Sequence, residues 1–394
     1  MTVPPLVRGW CPDMFAPMEA RDGYLVRIRS PLGGFEGPQV LAIAELARRF
    51  GNGVVELTNR GNVQLRGFSS TGAKLALKSA LAEGLVDPDP AKERRRAILV
   101  SSLAGLDPAC NPETLDVAQS LQTALLEENA LSALSGKFGW AVDGGGYVPE
   151  GTLSADIALQ SRPDGWSVVC GAMETGVLDN ARAVRVVVVM SRICAENSDL
   201  GRPSRDTDTA AFVLAKAGLE GIPCKRQGTC PVSLIGPLPG KVMGVGVPFG
   251  RCHTKDFEVL VELTGTSRLR ITPWRSVLLP QQDGTWPGFI TNLEDPLLRV
   301  EACIGRSGCA KATADVVETA SALASDVPPG CVLHVSGCIK GCAHPRAADM
   351  TLVADDGHYE VVRNGRTTDR PSWHDRDIPQ IRTLLRHELK ETQV

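Results

Sequence analysis

The sequence predicts an α+β protein built by internal duplication: a small αβ module, a larger α/β domain, and the same pair again. Three observations carry this. One structural phrase is written twice, at residues 26–67 and 244–280. Each copy leads into a longer stretch where helical and strand patterns mix. Between the halves lies "GIPCKRQGTCPVSLIGPLPGK" (221–241), rich in Pro and Gly as linkers are. The units then run over 15–80, 81–235, 236–295 and 296–394.

The first copy, "VRIRSPLGGFEGPQVLAIAELARRFGNGVVELTNRGNVQLRG", reads as a strand, a Pro-Gly turn, an amphipathic helix and two strands. The spacing predicts a helix over Gln39–Phe50, with Leu41, Ala44 and Leu46 on its apolar side and a stop at Gly51-Asn52. In the larger stretch that follows, "VRVVVVM" (184–190) reads as a buried strand. The second copy, "GVGVPFGRCHTKDFEVLVELTGTSRLRITPWRSVLLP", repeats the order. Pro31-Leu32-Gly33 answers Pro248-Phe249-Gly250, and Leu57-Thr58 answers Ile271-Thr272, so the second copy is three residues shorter. Its "GVGVPFG" has G-x-G-x-x-x-G spacing and does not fit a dinucleotide-binding loop. Further on, "CVLHVSG" reads as a buried strand, 347–364 as a hairpin turning at Asp356-Gly357, and 378–389 as a closing helix.

Composition sets limits. Apolar content of 43% and charged content of 22% are those of an ordinary globular chain. A net charge of −3 gives no reason to expect a nucleic-acid or membrane binder. The N-terminus carries no apolar h-region or small-residue cleavage site, and no apolar run is long enough to span a bilayer, so a cytoplasmic location is expected. Arginine outnumbers lysine by nearly three to one, which base composition accounts for and which also suits a surface that grips carboxylates. Twelve cysteines are too dilute for a disulfide scaffold and are available to metal.

Four cysteines form a pattern. Cys303-x5-Cys309 in "CIGRSGC" is followed, after a long gap, by Cys338-x3-Cys342 in "GCIKGCAHP". Two such loops can hold zinc or an iron–sulfur cluster. The x5 spacing is wide for structural zinc, whereas a cube-shaped cluster tolerates it. The glycines at 305, 308, 337 and 341 let backbone approach and offer N–H donors. Cys224-x5-Cys230 has the same spacing but no second pair nearby, and is read as structural.

Cys-x5-Cys followed by "SGCIKGCAHP" resembles the cluster motif of the sirohaem-dependent sulfite and nitrite reductases. "VRIRSPLGG" and "LTNRGNVQLRG" resemble their ferredoxin-like half-domain. The resemblance implies a sulfite/nitrite reductase-like architecture of two ferredoxin-like half-domains and two larger α/β domains, with a [4Fe-4S] cluster on Cys303, Cys309, Cys338 and Cys342. Within that superfamily, "RGWCPDMFAPMEARDGYLVRI" (8–28) looks most like the precorrin-3B synthase family. Departures from the reductases agree. Ile339 and Lys340 stand where they carry proline and a small polar residue. Lys137 is kept, but Gly139 stands for their second lysine, and "LVSSLAGLDP" (99–108) replaces an arginine-bearing stretch. Arg60 matches their tetrapyrrole-side arginine. No bound sirohaem is therefore expected.

The resemblance implies that the reductases' cofactor pocket serves as a substrate pocket for precorrin-3A, itself a polycarboxylate macrocycle. Arg27, Arg29, Arg60, Arg66, Lys137, Arg275 and Lys340 are the candidates to grip it. Arg27 and Arg29 alternate with Val26 and Ile28, so one face of that strand is basic. Arg60 answers Trp274 of the second copy, an asymmetry that favours a ligand facing the first copy. The implied reaction is an O2- and NADH-dependent monooxygenation at the meso carbon between rings A and D, closed as a lactone by the ring A acetate. It belongs to aerobic cobalamin biosynthesis, with electrons from NADH directly or through a partner reductase. The family is also associated with a mononuclear non-haem iron, for which His253 and His344 are the candidates, although no two-His-one-carboxylate spacing stands out. The alternatives are a sirohaem-dependent sulfite or nitrite reductase and, in another class, a non-catalytic tetrapyrrole or cluster carrier.

Overall fold

The computed structural model describes residues 11–148, 151, 153–224, 234–265 and 267–389. Cys230, with the rest of 225–233 in the Pro/Gly-rich passage, lies outside them, as do residues 8–10 of the opening peptide. In chain order the first small module holds β1 (Met18–Ala20), β2 (Gly23–Ile28), α1 (Gly37–Phe50), β3 (Val54–Leu57), β4 (Val63–Phe68) and α2 (Ser70–Ala82), followed by α3 (Pro90–Arg95). The first large unit has β5 (Ile98–Val100), α4 (Thr114–Glu127), β6 (Trp140–Asp143), β7 (Ile157–Arg162), β8 (Gly165–Cys170), β9 (Met173–Glu174), α5 (Asn180–Glu196), α6 (Thr207–Lys216) and β10 (Ile222–Pro223). The second small module has β11 (Gly236–Leu238), β12 (Val242–Gly246), β13 (Arg251–His253), α7 (Thr254–Thr264), β14 (Arg270–Ile271) and β15 (Ser276–Pro280). The second large unit has β16 (Val300–Ala302), α8 (Val316–Leu323), β17 (Leu333–Ser336), β18 (Ala348–Asp355), β19 (His358–Gly365), β20 (Trp373–Arg376) and α9 (Ile378–Glu388).

The duplication is visible in the sheets. The small modules form antiparallel sheets ordered β1-β2-β4-β3-β13 and β11-β12-β15-β14. The large units repeat one mixed plan. β5, β6 and β7 run parallel and then turn back into β8; β16, β17 and β18 run parallel and turn back into β19. The Asp356-Gly357 hairpin turn is present, with both residues at positive φ.

The two small modules are interlocked. β13 of the second copy leaves its own sheet and pairs with β3 of the first, setting Cys252 opposite Val55. Phe35 of the first copy reaches across to Leu269 of the second, with reciprocal backbone bonds of 2.8 Å. By the repeat's numbering Phe35 answers Cys252 and Val55 answers Leu269, so this is one exchange made twice. α1 lies against α7, and residues of both copies fill one apolar core, including Val26, Ile28, Phe35, Val55, Phe257, Leu260, Leu269 and Val277. Each large unit keeps a core of its own.

Two local readings need correction. "VRVVVVM" is not a strand but the middle of α5. The Asp179 side chain caps that helix at the Arg182 N–H, and Ala183, Val184, Val187, Met190 and Ser191 are buried at helical spacing while Val189 is exposed. Packing of one face outweighs the β preference of a valine run. In α1 the buried stripe is Val40, Ile43, Ala44, Leu46 and Ala47; Leu41 is 47% exposed. A capping box between Glu36 and Gln39 starts that helix two residues before the predicted one and sets its rotation.

Phe35 is 1% exposed at the crossing of the two copies. Phe35→Ala is expected to cost about 3–5 kcal/mol, read as a lower denaturant midpoint with an unchanged slope.

Candidate metal centre and ligand cavities

Cys303, Cys309, Cys338 and Cys342 all line one cavity of about 300 Å³, between the two small modules and the second large unit. The parallel strands β16 and β17 end side by side and deliver the two cysteine loops to it. The Gly337 N–H points at the Cys303 sulfur at 3.3 Å, and a Cβ at Gly337 would lie 2.6 Å from Ala312. Burial pushes the Cys338 and Cys342 thiols up, and the other thiols of the set push them further. A Lys340 backbone bond to Cys338 and the Lys340 charge oppose this. Thiols gathered on one cavity suit a cationic occupant. No three His, Cys, Asp or Glu side chains among the described residues gather as ligands of one ion do. All four thiols line the same cavity, whose size admits a cluster wider than a single zinc.

A buried ionic frame holds these loops. Arg66, 4% exposed, binds Asp22 through two bonds of 2.9 and 3.0 Å, lies 3.4 Å from Glu56, and donates to the Gly308 carbonyl at 2.7 Å. Arg251 pairs with Glu56 at 2.8 Å and donates to the Cys303 carbonyl at 3.2 Å. Arg275 pairs with Glu301 and donates to the Ala343 carbonyl at 3.2 Å. Both cysteine loops are therefore tied to the small modules through guanidiniums.

The sequence-predicted substrate residues divide between two cavities. Arg27, Arg66 and Arg275 line the one with the thiols. Arg66 is corrected to a positioning role, since its fork is filled by protein acceptors. Arg27 donates to Gln64 at 2.9 Å, and its Nε is buried without a partner among the described residues. Lys340 is exposed beside the thiol loops. Arg29 and Arg60 instead line a second, smaller cavity against the first large unit, which corrects the expectation that they share one pocket with the rest. Arg60 donates to the Lys137 carbonyl at 2.7 Å, and a Cβ on Gly139 would sit 3.4 Å from its Nη1. It is thus the Lys137 main chain that contacts Arg60. Burial lowers the Arg27, Arg29 and Arg60 pKa values, and Arg27 depresses both of the others. Trp274, at the turn that matches Arg60, packs on apolar residues such as Ala141, Leu153 and Leu278.

Cys224 donates its N–H to Ala172 beside the short edge strand β10, away from the thiol cavity. His253 is exposed on β13 and precedes α7, and His344 contacts the Ala347 carbonyl at 3.3 Å; neither belongs to a metal-ligating group among the described residues. Sequence reasoning missed four residues. Glu56 and Arg251 build the frame, and the repeat could have exposed Arg251, because it answers Gly34. Cys11 hydrogen-bonds Arg27. His334 on β17 is fully buried with both ring nitrogens unpartnered among the described residues, and burial, then His344 and Arg275, push it down to about 4.

The family described as "Nitrite/Sulfite reductase ferredoxin-like half domain" matches residues 16–82. A precorrin-3B synthase from Sinorhizobium sp is 29% identical over 94% of this chain and 86% of its own length. A ferredoxin–nitrite reductase from Synechococcus elongatus is 25% identical over 84% of this chain and 76% of its own. The solved structure of the Mycobacterium tuberculosis NirA protein shares the fold, with a TM-score of 0.68 at 15% identity over 93% of this chain and 80% of that one. Residues 16–82 thus match a half-domain of the sulfite and nitrite reductases, and nearly the whole chain is similar to proteins of that superfamily. No helix among its described residues is long and apolar enough to cross a membrane.

The Glu56 frame has a pH signature. Burial alone would raise the Glu56 pKa, but Arg251 and Arg66 together hold it below 4.5. Its stabilising contribution is then complete above that ordinary value and is lost as pH falls through the depressed one. Glu56→Gln is expected to cost about 3 kcal/mol near neutrality, with the gap to wild type narrowing below about pH 4.5. Urea titrations across that range measure it.

Proposed function

We propose that this chain is an oxygen-dependent monooxygenase that converts precorrin-3A to precorrin-3B in aerobic cobalamin biosynthesis. The observation that carries the reading is one cavity lined both by the four thiols and by Arg27, whose Nε is buried without a partner among the described residues. Its volume of about 300 Å³ falls at the lower end of organic-ligand pockets, about 300–1,000 Å³. A precorrin-3B synthase among the relatives supports the substrate class.

In this reading the four cysteines hold a [4Fe-4S] cluster, which supplies one-electron transfer beside the macrocycle. The chain does the positioning. Arg27 lines the cavity from the first copy of the repeat and pairs with a carboxylate arm of the substrate, while Arg275, from the second copy, is held by Glu301 and ties down the Ala343 carbonyl. Glu56, Arg66 and Arg251 keep the Cys303 and Cys309 loops at a fixed distance from that grip. Lys340 adds positive charge beside the thiols. NADH supplies the electrons, directly or through a separate reductase.

Anaerobically purified protein incubated with precorrin-3A, NADH and 18O2 should yield a product with one labelled oxygen. Stoichiometric sirohaem with sulfite or nitrite reduction would overturn the proposal in favour of a reductase, and tetrapyrrole binding without turnover would leave only a carrier. Replacing any one of Cys303, Cys309, Cys338 or Cys342 by Ser should abolish turnover and deplete iron and acid-labile sulfide, whereas Cys224→Ser should retain both; full iron content in Cys338→Ser would remove the four-cysteine assignment. Arg27→Ala should keep the cluster spectrum yet weaken precorrin-3A binding by about one to two decades, the effect of losing a charge-assisted hydrogen bond.

A further inference from the structure

Three consecutive arginines end α3, and they fare differently. Arg94 lies 3.5 Å from Asp13, and Arg96 pairs with Glu93 at 2.9 Å. Arg95 is the most buried of the three, 3% exposed, and has no ion pair among the described residues. Its Nη2 donates to the Leu126 carbonyl at 3.2 Å, in the last turn of α4. Its Nε and Nη1 are buried without a hydrogen-bond partner among the described residues. The Arg95 charge reaches Glu128, which caps α4, but Arg192 already holds that carboxylate through a 3.0 Å bond. The carbonyl end of a helix carries only about half an elementary charge. A guanidinium stays ionised when buried, and a buried charge without a counterion is costly.

Arg95 lines a cleft on the helical face of the first large unit. Strand alternation fixes that face. Ala141 turns to Trp274 of the second small module, whereas its neighbour Trp140 turns away and donates to Ser191 of α5 at 2.8 Å. Trp140, Phe138 and Leu131 make apolar walls, and Ser132 and Ser135 bring hydroxyls to an exposed rim. No Asp or Glu among the described residues lines the cleft. It offers about 20 Å³ to an occupant, little more than the about 10–15 Å³ that one water-sized sphere takes. A water there accepts a hydrogen bond but leaves the charge unbalanced.

We propose that this cleft binds one monatomic anion of the halide class against Arg95. Phosphate and organic carboxylates are too large for it. A guanidinium is weakly hydrated, and apolar walls return little hydration to an ion, so chloride and bromide suit the cleft. An ion there joins α3, which leads out of the first small module, to the turn before β6 in the first large unit. Its effect is therefore on the stability of that joint. The site does not depend on the reaction proposed above.

Thermal unfolding of the full chain in chloride, bromide and gluconate at one ionic strength tests this. The melting temperature should rise when chloride or bromide replaces gluconate, by about 2 °C at tenfold the dissociation constant, as mass action requires of an ion bound only by the folded chain. Arg95→Met removes the charge, keeps a long side chain and should erase the difference between salts. If Arg95→Met does not fold, crystals of the wild-type chain grown in bromide carry the test, with an anomalous peak expected in contact with the Arg95 guanidinium. An equal salt effect in Arg95→Met, no difference among the salts in the wild type, or no bromide beside Arg95 would overturn the site.

Discussion

One buried carboxylate organises the candidate centre. Glu56 lies on a strand of the first small module, and it fixes Arg66 and Arg251, whose remaining donors hold the Gly308 and Cys303 carbonyls. Burial in that position by itself would raise its pKa. The two guanidiniums keep it charged, and it keeps them aimed. The arrangement joins elements far apart in the chain, so the cysteine loops take their geometry from the small modules as well as from their own strands.

That dependence explains why the small modules interlock. The paired exchange of Phe35 with Leu269 and of Cys252 with Val55 makes one core from two copies. Arg251 begins the very strand that crosses over, so the crossing delivers it to Glu56. Without the exchange, the guanidinium that grips the Cys303 loop would belong to the wrong sheet.

Duplication also leaves two cavities related by the same symmetry, and they have diverged in chemistry. One keeps thiols and a carboxylate hub. The other has serine for cysteine and arginine for glutamate. Both retain the same turns and the same strand ends, because those belong to the backbone plan. Side chains at equivalent positions are free to differ, as Arg60 and Trp274 also do.

The repeat, the order of elements within it and the pairing of four cysteines were legible in the sequence, because each rests on local spacing: a Pro-Gly turn, an apolar stripe, two thiols on one loop. The valine run of α5 misled for the opposite reason, since a local preference gave way to packing of one helix face and a cap at Asp179. What only the tertiary structure decided was which arginines share a cavity. Arg27 and Arg29 stand two residues apart, yet they line different cavities, because β2 ends at Ile28 and Arg29 lies just beyond it. Arg66 has the same residue type and the same surroundings in sequence, but Asp22, Glu56 and Gly308 had already claimed its donors. A guanidinium's role is set by the acceptors that surround it in space, and those come from segments that the linear order keeps apart.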